Sequence, residues 1–293
     1  MTIRNLEIFT KVADLGSMSA AAKSLYITQP SVSLAIAEIE KEYDVRLFER
    51  IGNHLHLTPT GKELHIYTSS ILQQYNEMEL FLKDKSLSTN IRIGATITIG
   101  QCLIAPIIEE LKAKIPDLKY EVIIADTGII KERLLRSELD IGFIEGNINT
   151  DSLVIHPIID DELSVICSNK HRLYGKKEIS IRELDNEVFI LRESGSGTRI
   201  HVESFLQKHN IPYHPRWSCY SFEAIKEAIL HNLGITIMSP RVITKELQSG
   251  DLWACSIKGN PLKRTFNLVY RNNKYLSEAL TQFIGICENA KKI

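Results

Sequence analysis

The sequence predicts a multidomain protein in which an all-helical N-terminal part is followed by an α/β part, and three observations predict it. Before about residue 90, apolar side chains recur at helical spacing. After that point, short β-branched runs such as "IRIGA", "YEVIIAD" and "LDIGFIE" alternate with helical patterns, which is typical of α/β domains with largely parallel sheets. The length of 293 residues also suffices for more than one buried core.

The composition excludes several classes of protein. Apolar residues make up 44%, charged residues make up 24% and the net charge is −1, as in an ordinary globular protein. The segment "MTIRNLEIFTKVADLG" has no continuous apolar run, so we expect no signal peptide, no membrane contact and a cytoplasmic location. The five cysteines are widely spaced without a C-x-x-C pair, which predicts reduced thiols. We expect no metal and no cofactor.

Residues 1–60 are predicted to form a helix-turn-helix domain. Ser19 is expected to cap a short second helix, and small alanines after it allow a neighbouring helix to approach closely. Thr28 is suited to cap a third helix, where Pro30 in the first turn sacrifices no hydrogen bond. The apolar face of that third helix is predicted to contain Val32, Ile36, Ile39 and Tyr43.

The opposite face of the third helix carries the candidate DNA contacts. The major groove admits one helix, and short polar side chains let its backbone approach the base edges. Gln29 could bond to adenine, Ser31 and Ser33 could bond to bases or phosphates, and the helix start favours a phosphate. Leu34 points outward, which suggests contact with a thymine methyl group as a hypothesis.

A hairpin wing is predicted in "RLFERIGNHLHLTPTG", with Arg46, Arg50, His54 and His56 near the DNA backbone. The alternative for this domain is a helical hairpin used for protein contact. Residues 1–60 contain six Lys or Arg against seven Asp or Glu, whereas DNA binding depends on neutralised phosphates. A DNA-binding domain of this composition must therefore concentrate its cations locally.

Residues 61–89 are predicted to form a linker helix. Its apolar residues, spaced three or four apart, form one stripe on a polar rod, so we expect the helix to pair with a second copy. The alternative is a helix that packs on its own domain. The stripe consists of Leu64, Tyr67, Ile71, Tyr75, Met78 and Leu82.

Two loops in residues 90–293 are candidate anion sites. A strand runs into a helix through Thr96, Thr98 and Gly100, and "SGSGT" at 194–198 repeats the arrangement. Hydroxyl groups and free amides at a helix start favour an anion, although such a turn can also be a simple cap. Since the chain shows no phosphate-binding or nucleophile motif, we expect binding rather than catalysis. The alternative is a cytoplasmic small-molecule-binding protein or an enzyme that uses the same cleft.

The segment "SMSAAAKSLYITQPSVSLAIAEIEKEYDVRLFER", followed by "LTPTG", resembles the N-terminal domain of LysR-type transcriptional regulators. The resemblance extends along the whole chain and implies a winged helix-turn-helix, a linker helix and two α/β subdomains similar to periplasmic solute-binding proteins. Subdomain I is placed at about 90–161 and 266–293, and subdomain II at about 162–265. The implied partners are double-stranded operator DNA, a second chain through the linker helix in a homodimer or homotetramer, a small anionic or amino-acid-like effector and RNA polymerase.

The resemblance also assigns site residues. The DNA contacts fall on Gln29, Pro30, Ser31, Ser33, Arg50 and Thr58. The effector contacts fall on Thr96, Thr98, Gln101, Ile129, Glu145, Ser194, Ser196 and Thr198.

Two positions do not fit what the resemblance implies. Asp44 replaces the usual glycine, but Asp tolerates a left-handed turn. Glu145 would repel an anion, so either it faces away or the ligand carries an ammonium group. Arg192 and Arg199 could neutralise Glu145 or bind the ligand, and the alternative for both is an ordinary surface role.

Overall fold

The N-terminal part of the computed structural model consists of helices that pack around a small core, closed on one side by a hairpin. The structure describes residues 1–52, 54–83, 89–146, 148, 150–213 and 215–290. The first elements are α1 (Ile3–Leu15), α2 (Met18–Ser24), α3 (Gln29–Tyr43), the hairpin of β1 (Phe48–Ile51) and β2 (His54–Leu57), and the long helix α4 (Pro59–Lys83).

The helix ends of this domain follow local chemistry. The hydroxyl of Thr28 accepts a hydrogen bond from Ser31 N at 3.4 Å, which confirms the predicted cap of α3. Asp44 ends α3 in the left-handed conformation at φ 51°, as expected for its replacement of glycine. The expected cap at Ser19 is wrong. Because α2 begins at Met18, the preceding Ser17 is the cap, and its Oγ accepts from Ala20 N at 3.3 Å.

The core of the domain contains the predicted inner faces of α1, α2 and α3, and the ring of Phe9 lies 5.5 Å from that of Phe48. Tyr43 was expected on the buried face but is 51% exposed. It is the last residue of α3, where the chain turns away at Asp44.

The long helix α4 packs on α1 through its first three turns. Leu64 joins the core, His65 Nε2 lies 3.0 Å from Asp14 Oδ1, and the Thr10 hydroxyl donates to Thr68 Oγ1 at 3.0 Å. The beginning of the predicted stripe is therefore buried within its own domain. Beyond it, the stripe residues Tyr67, Ile71, Met78 and Leu82 are 66%, 45%, 49% and 73% exposed.

The described residues after 88 form an eight-stranded mixed sheet and a separate two-stranded sheet, with helices packed against them. In the larger sheet the order is β4-β3-β5-β12-β6-β11-β7, with β10 on β6, and the smaller sheet pairs β8 with β9. The strands are β3 (Asn90–Ala95), β4 (Lys119–Ile124), β5 (Ile141–Glu145), β6 (Leu153–Ser168), β7 (Glu178–Ile179), β8 (Phe189–Arg192), β9 (Pro215–Cys219), β10 (Thr236–Met238), β11 (Leu252–Ile257) and β12 (Leu262–Arg271). The helices are α5 (Ile97–Cys102), α6 (Ile104–Lys114), α7 (Thr127–Leu135), α8 (Gly197–Lys208), α9 (Phe222–Leu230), α10 (Thr244–Ser249) and α11 (Glu278–Asn289), with 3-10 turns at Ile181–Leu184 and Pro240–Ile243.

The expectation of largely parallel sheets is wrong at the centre of the larger sheet. Strand β3 is parallel to β4 and β5, but β12 is antiparallel to both β5 and β6. The physical reason is that the chain runs outward along the long strand β6 and returns along β12.

Strands β6 and β12 join two separate cores. Ile159 of β6 and Phe266 of β12 belong to a core with the helices α6 and α11. Leu163 and Leu262 belong to a second core that includes α8 and β8. Both strands therefore pass between the two cores over four residues, and we call these crossings the hinge. The first core defines subdomain I and the second defines subdomain II.

A buried carboxylate connects subdomain I to the linker helix. Asp140, 8% exposed, accepts from Arg92 N at 2.7 Å and from Arg92 Nη2 at 2.8 Å. Lys274 Nζ lies 2.8 Å from Asp140 Oδ1, and Gln73 Nε2 of α4 donates to the same oxygen at 3.3 Å. Burial by itself would raise the pKa of Asp140, but the hydrogen bond from Arg92 and the charge of Lys274 lower it below its ordinary value.

We predict that Asp140→Asn lowers the free energy of unfolding near neutral pH by about 1–3 kcal/mol, because two cations lose their carboxylate. Since the pKa of Asp140 is lower in the folded state, its contribution is present above the unfolded pKa and is lost as the pH falls through the folded one. The difference between the variant and the wild type should therefore shrink below about pH 4.

Urea denaturation across this pH range measures the effect. Asp151→Asn, which changes an exposed carboxylate, serves as the control and should change little. A difference for Asp140→Asn that stays constant in acid would show that the charge of Asp140 is not its source.

Candidate functional site

The N-terminal half of α3 presents an accessible polar surface. Gln29, Pro30 and Ser31 are exposed and Leu34 is 60% exposed, while Ser33 is half-buried. On the other side of the helix Val32 and Ile36 lie in the core. The predicted DNA-contacting side chains thus share one accessible face, and Ser33 lies at its edge.

The hairpin places Arg50 on an exposed position of β1, paired in register with Leu55. The side chain of His54 lies outside the described part of the structure. Thr58 has a structural role that the sequence analysis missed: its hydroxyl donates to Arg46 O at 2.6 Å and accepts from Gly61 N at 3.0 Å. The Thr58 hydroxyl therefore bonds within the domain. Its two hydrogen bonds join the segment before the wing to the first turn of α4.

Gly61 explains the end of the "LTPTG" motif. A Cβ at this position would lie 2.1 Å from the carbonyl oxygen of Leu47. The backbone of α4 therefore approaches the chain before the wing more closely than any side chain allows.

The second candidate site is a cleft between subdomains I and II. Three helices, α5, α7 and α8, begin at its wall after the N-cap residues Thr96, Asp126 and Ser196, whose side chains do not cap their own helices. These helix starts surround a cavity of about 20 Å³, room for about one water molecule. The cavity is lined by Thr96, Ile97, Asp126, Thr127, Glu145, Arg192, Ser196, Gly197 and Thr198.

The carboxylate of Glu145, at the end of β5, lies at the centre of the cleft. Its Oε1 accepts from the Thr96 hydroxyl at 3.2 Å, and its Oε2 accepts from the Thr198 hydroxyl at 3.4 Å. The same Oε2 lies 2.5 Å from Nη1 of Arg264. Glu145 thus takes hydrogen bonds from both subdomains and from the hinge.

Arg264 connects Glu145 to a second carboxylate. Its Nε donates to Asp161 Oδ2 at 2.7 Å, its Nη1 donates to Thr198 Oγ1 at 3.1 Å and its Nη2 donates to Thr98 Oγ1 at 3.4 Å. Arg264 of β12 stands opposite Asp161 of β6 in the hinge. The side chains of Arg264, Glu145 and Asp161 are only 5%, 9% and 2% exposed, so one guanidinium pairs with two carboxylates largely out of water.

The position of Arg264 shows whether Glu145 faces the cleft and which cation neutralises it. The carboxylate faces into the cleft and a hinge arginine neutralises it, whereas Arg192 lies 2.6 Å from Glu193 and Arg199 lies 2.7 Å from Glu203. Sequence reasoning missed both Arg264 and Asp161. The available signal was charge within strands that otherwise read as buried, in "IIDDELSVI" and "LKRTFNLVY".

The structure brings four of the eight predicted effector residues to the cavity, namely Thr96, Glu145, Ser196 and Thr198. Thr98 is buried behind it against Arg264. Three others lie outside the lining and are exposed: Gln101, Ile129 and Ser194. The lining also contains Asp126, which the sequence analysis did not name, and Arg192, which it considered as a ligand contact.

The described residues also bear on metal binding and on membrane insertion. No group of three or more His, Cys, Asp or Glu side chains within that part of the chain is placed to hold a metal ion. None of its helices is long and apolar enough to cross a membrane.

Comparison with known families decides the assignment. Residues 3–62 match the model of the "Bacterial regulatory helix-turn-helix protein, lysR family", and residues 84–292 match the "LysR substrate binding domain". The chain belongs to the LysR family of transcriptional regulators. It combines the DNA-binding domain and the effector-binding domain of that family.

Known LysR-family proteins are similar over most of their length. The HTH-type transcriptional regulator CysL of Bacillus subtilis is 32% identical, with 90% of this chain and 89% of CysL covered. A full-length OxyR variant of Pseudomonas aeruginosa superposes with a TM-score of 0.73 at 21% identity, over 100% of this chain and 95% of that one. The regulatory domain of CcmR from Synechocystis PCC6803, solved in complex with 2-PG, gives a TM-score of 0.64 at 28% identity, over 69% of this chain and 97% of that one.

We predict that Gly61→Ala destabilises the LysR-type DNA-binding domain by about 1–3 kcal/mol or more, because the new methyl group would meet a backbone oxygen that cannot rotate away. Differential scanning calorimetry of the full chain measures the loss. Gly128→Ala is the matched control, since no atom lies within 4 Å of a Cβ there. Equal melting temperatures for the two variants would contradict the prediction.

Proposed function

We propose that this LysR-type regulator binds operator DNA through the exposed face of α3 and senses a small anionic or amino-acid-like metabolite in its cleft. The observation that carries the DNA part is the exposed surface of Gln29, Pro30, Ser31 and Leu34 on a helix whose opposite face is fully packed. A rigid helix that presents short side chains suits the major groove.

The weak overall charge of the DNA-binding domain limits how it binds. With an excess of acidic residues over residues 1–60, affinity must come from local contacts such as Arg50 and the first turn of α3. DNA binding should therefore weaken as salt rises, through the few phosphates that these groups neutralise.

The linker helix supports a dimer. Tyr67, Ile71, Met78 and Leu82 expose an apolar stripe after the helix leaves its own domain. Pairing of two such helices would remove the stripe from water and place two recognition helices on two half-sites. We propose that dimers join into a homotetramer on the operator, where the protein can contact RNA polymerase.

The cleft supports binding of a small ligand. It joins hydroxyl groups and helix starts of both subdomains, so a ligand there changes the relation between them. The complex of the CcmR regulatory domain with 2-PG supports a small-molecule ligand for this kind of domain. The contact between Asp140 and Gln73 would carry a change in subdomain I to the linker helix.

Catalysis is the less favoured alternative. Cys102 in α5 is a nucleophilic side chain near the cleft charges, but burial raises the pKa of its thiol to about 11. The thiol also donates to Thr98 O at 3.0 Å. A thiol in this protonated state is a poor nucleophile, and we propose a regulator without enzymatic activity or a resident cofactor.

We predict that Gln29→Ala weakens binding to native operator DNA by about tenfold, because one base-edge contact is worth about 1–3 kcal/mol. The measurement is fluorescence anisotropy over a salt series, on labelled DNA from upstream of the gene and on scrambled DNA of the same length. Gln248→Ala, which changes an exposed glutamine on α10, is the matched control and should bind like the wild type.

Equal binding of the wild type and Gln29→Ala to the native DNA would remove α3 as the reading helix. No binding at low salt, with or without candidate metabolites, would favour the alternative that this domain contacts protein.

We predict that Ile71→Asp weakens dimerisation by about tenfold or more, since the dimer would bury a charge from each chain in an apolar seam. Sedimentation velocity over a concentration series measures it. Asn76→Asp adds the same charge at an exposed position off the stripe. If both variants dimerise alike, the dimer does not depend on this face.

A further inference from the structure

We propose that the carboxylate of Glu145 is a built-in occupant of the effector cleft, and that an anionic effector binds by displacing it from Arg264 and Thr198. The inference rests on the proposed function in one respect, namely that the cleft is the ligand site. It makes Glu145 the residue that determines which anions bind, rather than a residue that contacts the bound ligand.

The first argument is the set of donors around Glu145. Its two oxygens accept from the hydroxyls of Thr96 and Thr198 and from the guanidinium of Arg264. Two hydroxyl donors from facing subdomains and one buried cation are the groups that an anion site requires. In the structure the protein's own carboxylate satisfies all three.

The second argument is space. The remaining cavity of about 20 Å³ holds about one water molecule. A carboxylate, sulfate or phosphate group is larger than one water molecule, and Arg264 is not among the residues that line the cavity, so such a group bonds to Arg264 in place of Glu145.

The third argument is charge. Arg264 already compensates Asp161 through its Nε at 2.7 Å, and Arg241 Nε lies 3.6 Å from the other oxygen of Asp161. While Glu145 also bonds to Arg264, a further anion would meet two buried carboxylates. When Glu145 leaves, an incoming anion takes its place beside Arg264, while Asp161 stays paired with Arg264 and lies near Arg241.

Glu145 is part of β5, and this covalent attachment limits which class of ligand can displace its carboxylate. An attached carboxylate competes at a high effective concentration, so a free monocarboxylate that offers the same contacts cannot displace it efficiently. A small dianion can, because its second charge gains more from Arg264 and from the start of the long helix α8. We therefore assign the effector to the class of small dianionic metabolites or oxyanions.

Displacement also has a structural consequence. Glu145 of subdomain I accepts a hydrogen bond from Thr198 of subdomain II. In the absence of ligand this carboxylate therefore joins the two subdomains across the cleft. An effector that replaces it changes which atoms join the two subdomains, and its differential affinity for the two arrangements provides the signal.

The test is calorimetric titration of the full chain with sulfate, against sodium chloride of equal ionic strength. We expect Glu145→Gln to bind sulfate about tenfold more tightly than the wild type, because the competing charge is gone while the side chain keeps its shape. Asp151→Asn removes an exposed carboxylate that does not line the cavity and should change affinity less than about threefold. Thermal melting of each variant checks that the fold is kept.

Four outcomes would overturn the proposal. Equal sulfate binding by the wild type and Glu145→Gln, or no binding by either, would mean that Glu145 does not occupy an anion site. An equal gain in Asp151→Asn would reduce the effect to the net charge of the protein. If glycine binds the wild type and Glu145→Gln abolishes that binding, Glu145 holds the ammonium group of an amino-acid-like ligand. Since no DNA enters the titration, its failure leaves operator binding untouched, and a failed operator assay leaves the titration valid.

Discussion

The antiparallel pairing of β6 with β12 is the constraint on which the effector domain depends. The two strands pair from Leu163 opposite Leu262 to Leu153 opposite Arg271, and their apolar residues enter one core on each side of the hinge. Because both crossings lie side by side, the subdomains can move relative to each other only by bending two hydrogen-bonded strands. A cleft therefore forms beside the hinge, and Arg264 at the crossing bonds to its lining residues Glu145 and Thr198.

Arg264 and Asp161 stand opposite each other at this crossing, where an apolar pair would have served packing equally well. A buried ion pair contributes little net stability compared with apolar residues of similar volume, and removal of one partner costs much more. The pair is better explained by the cleft: Arg264 lies 5.3 Å over the Phe266 ring, which fixes it on the side of subdomain I, and its other nitrogens reach Thr98, Thr198 and Glu145. A cation held in this way can exchange one anion for another without leaving the hinge.

At the other end of subdomain I, a second buried carboxylate is also shared by several elements. Asp140 joins Arg92 of β3, Lys274 after β12 and Gln73 of the linker helix. A carboxylate surrounded by donors from separate elements makes their positions interdependent. Subdomain I is thus bounded by two buried acidic residues, one facing the cleft between the subdomains and one facing the helix that leads to the DNA-binding domain.

Local features of the fold were determined by the sequence by itself. These features depend on hydrogen bonds and periodicity among residues a few positions apart. They are the cap at Thr28, the turn at Asp44, the strand-helix alternation after residue 90 and the two loops at Thr96 and Ser196. Only the tertiary structure decided the direction of β12, the exposed position of Ile129 and the partner of Glu145. Arg264 lies 119 positions away from Glu145, so no spacing in the chain connects them. They meet because the return of β12 along β6 brings a distant cation to the end of β5, and burial then requires the two charges to pair.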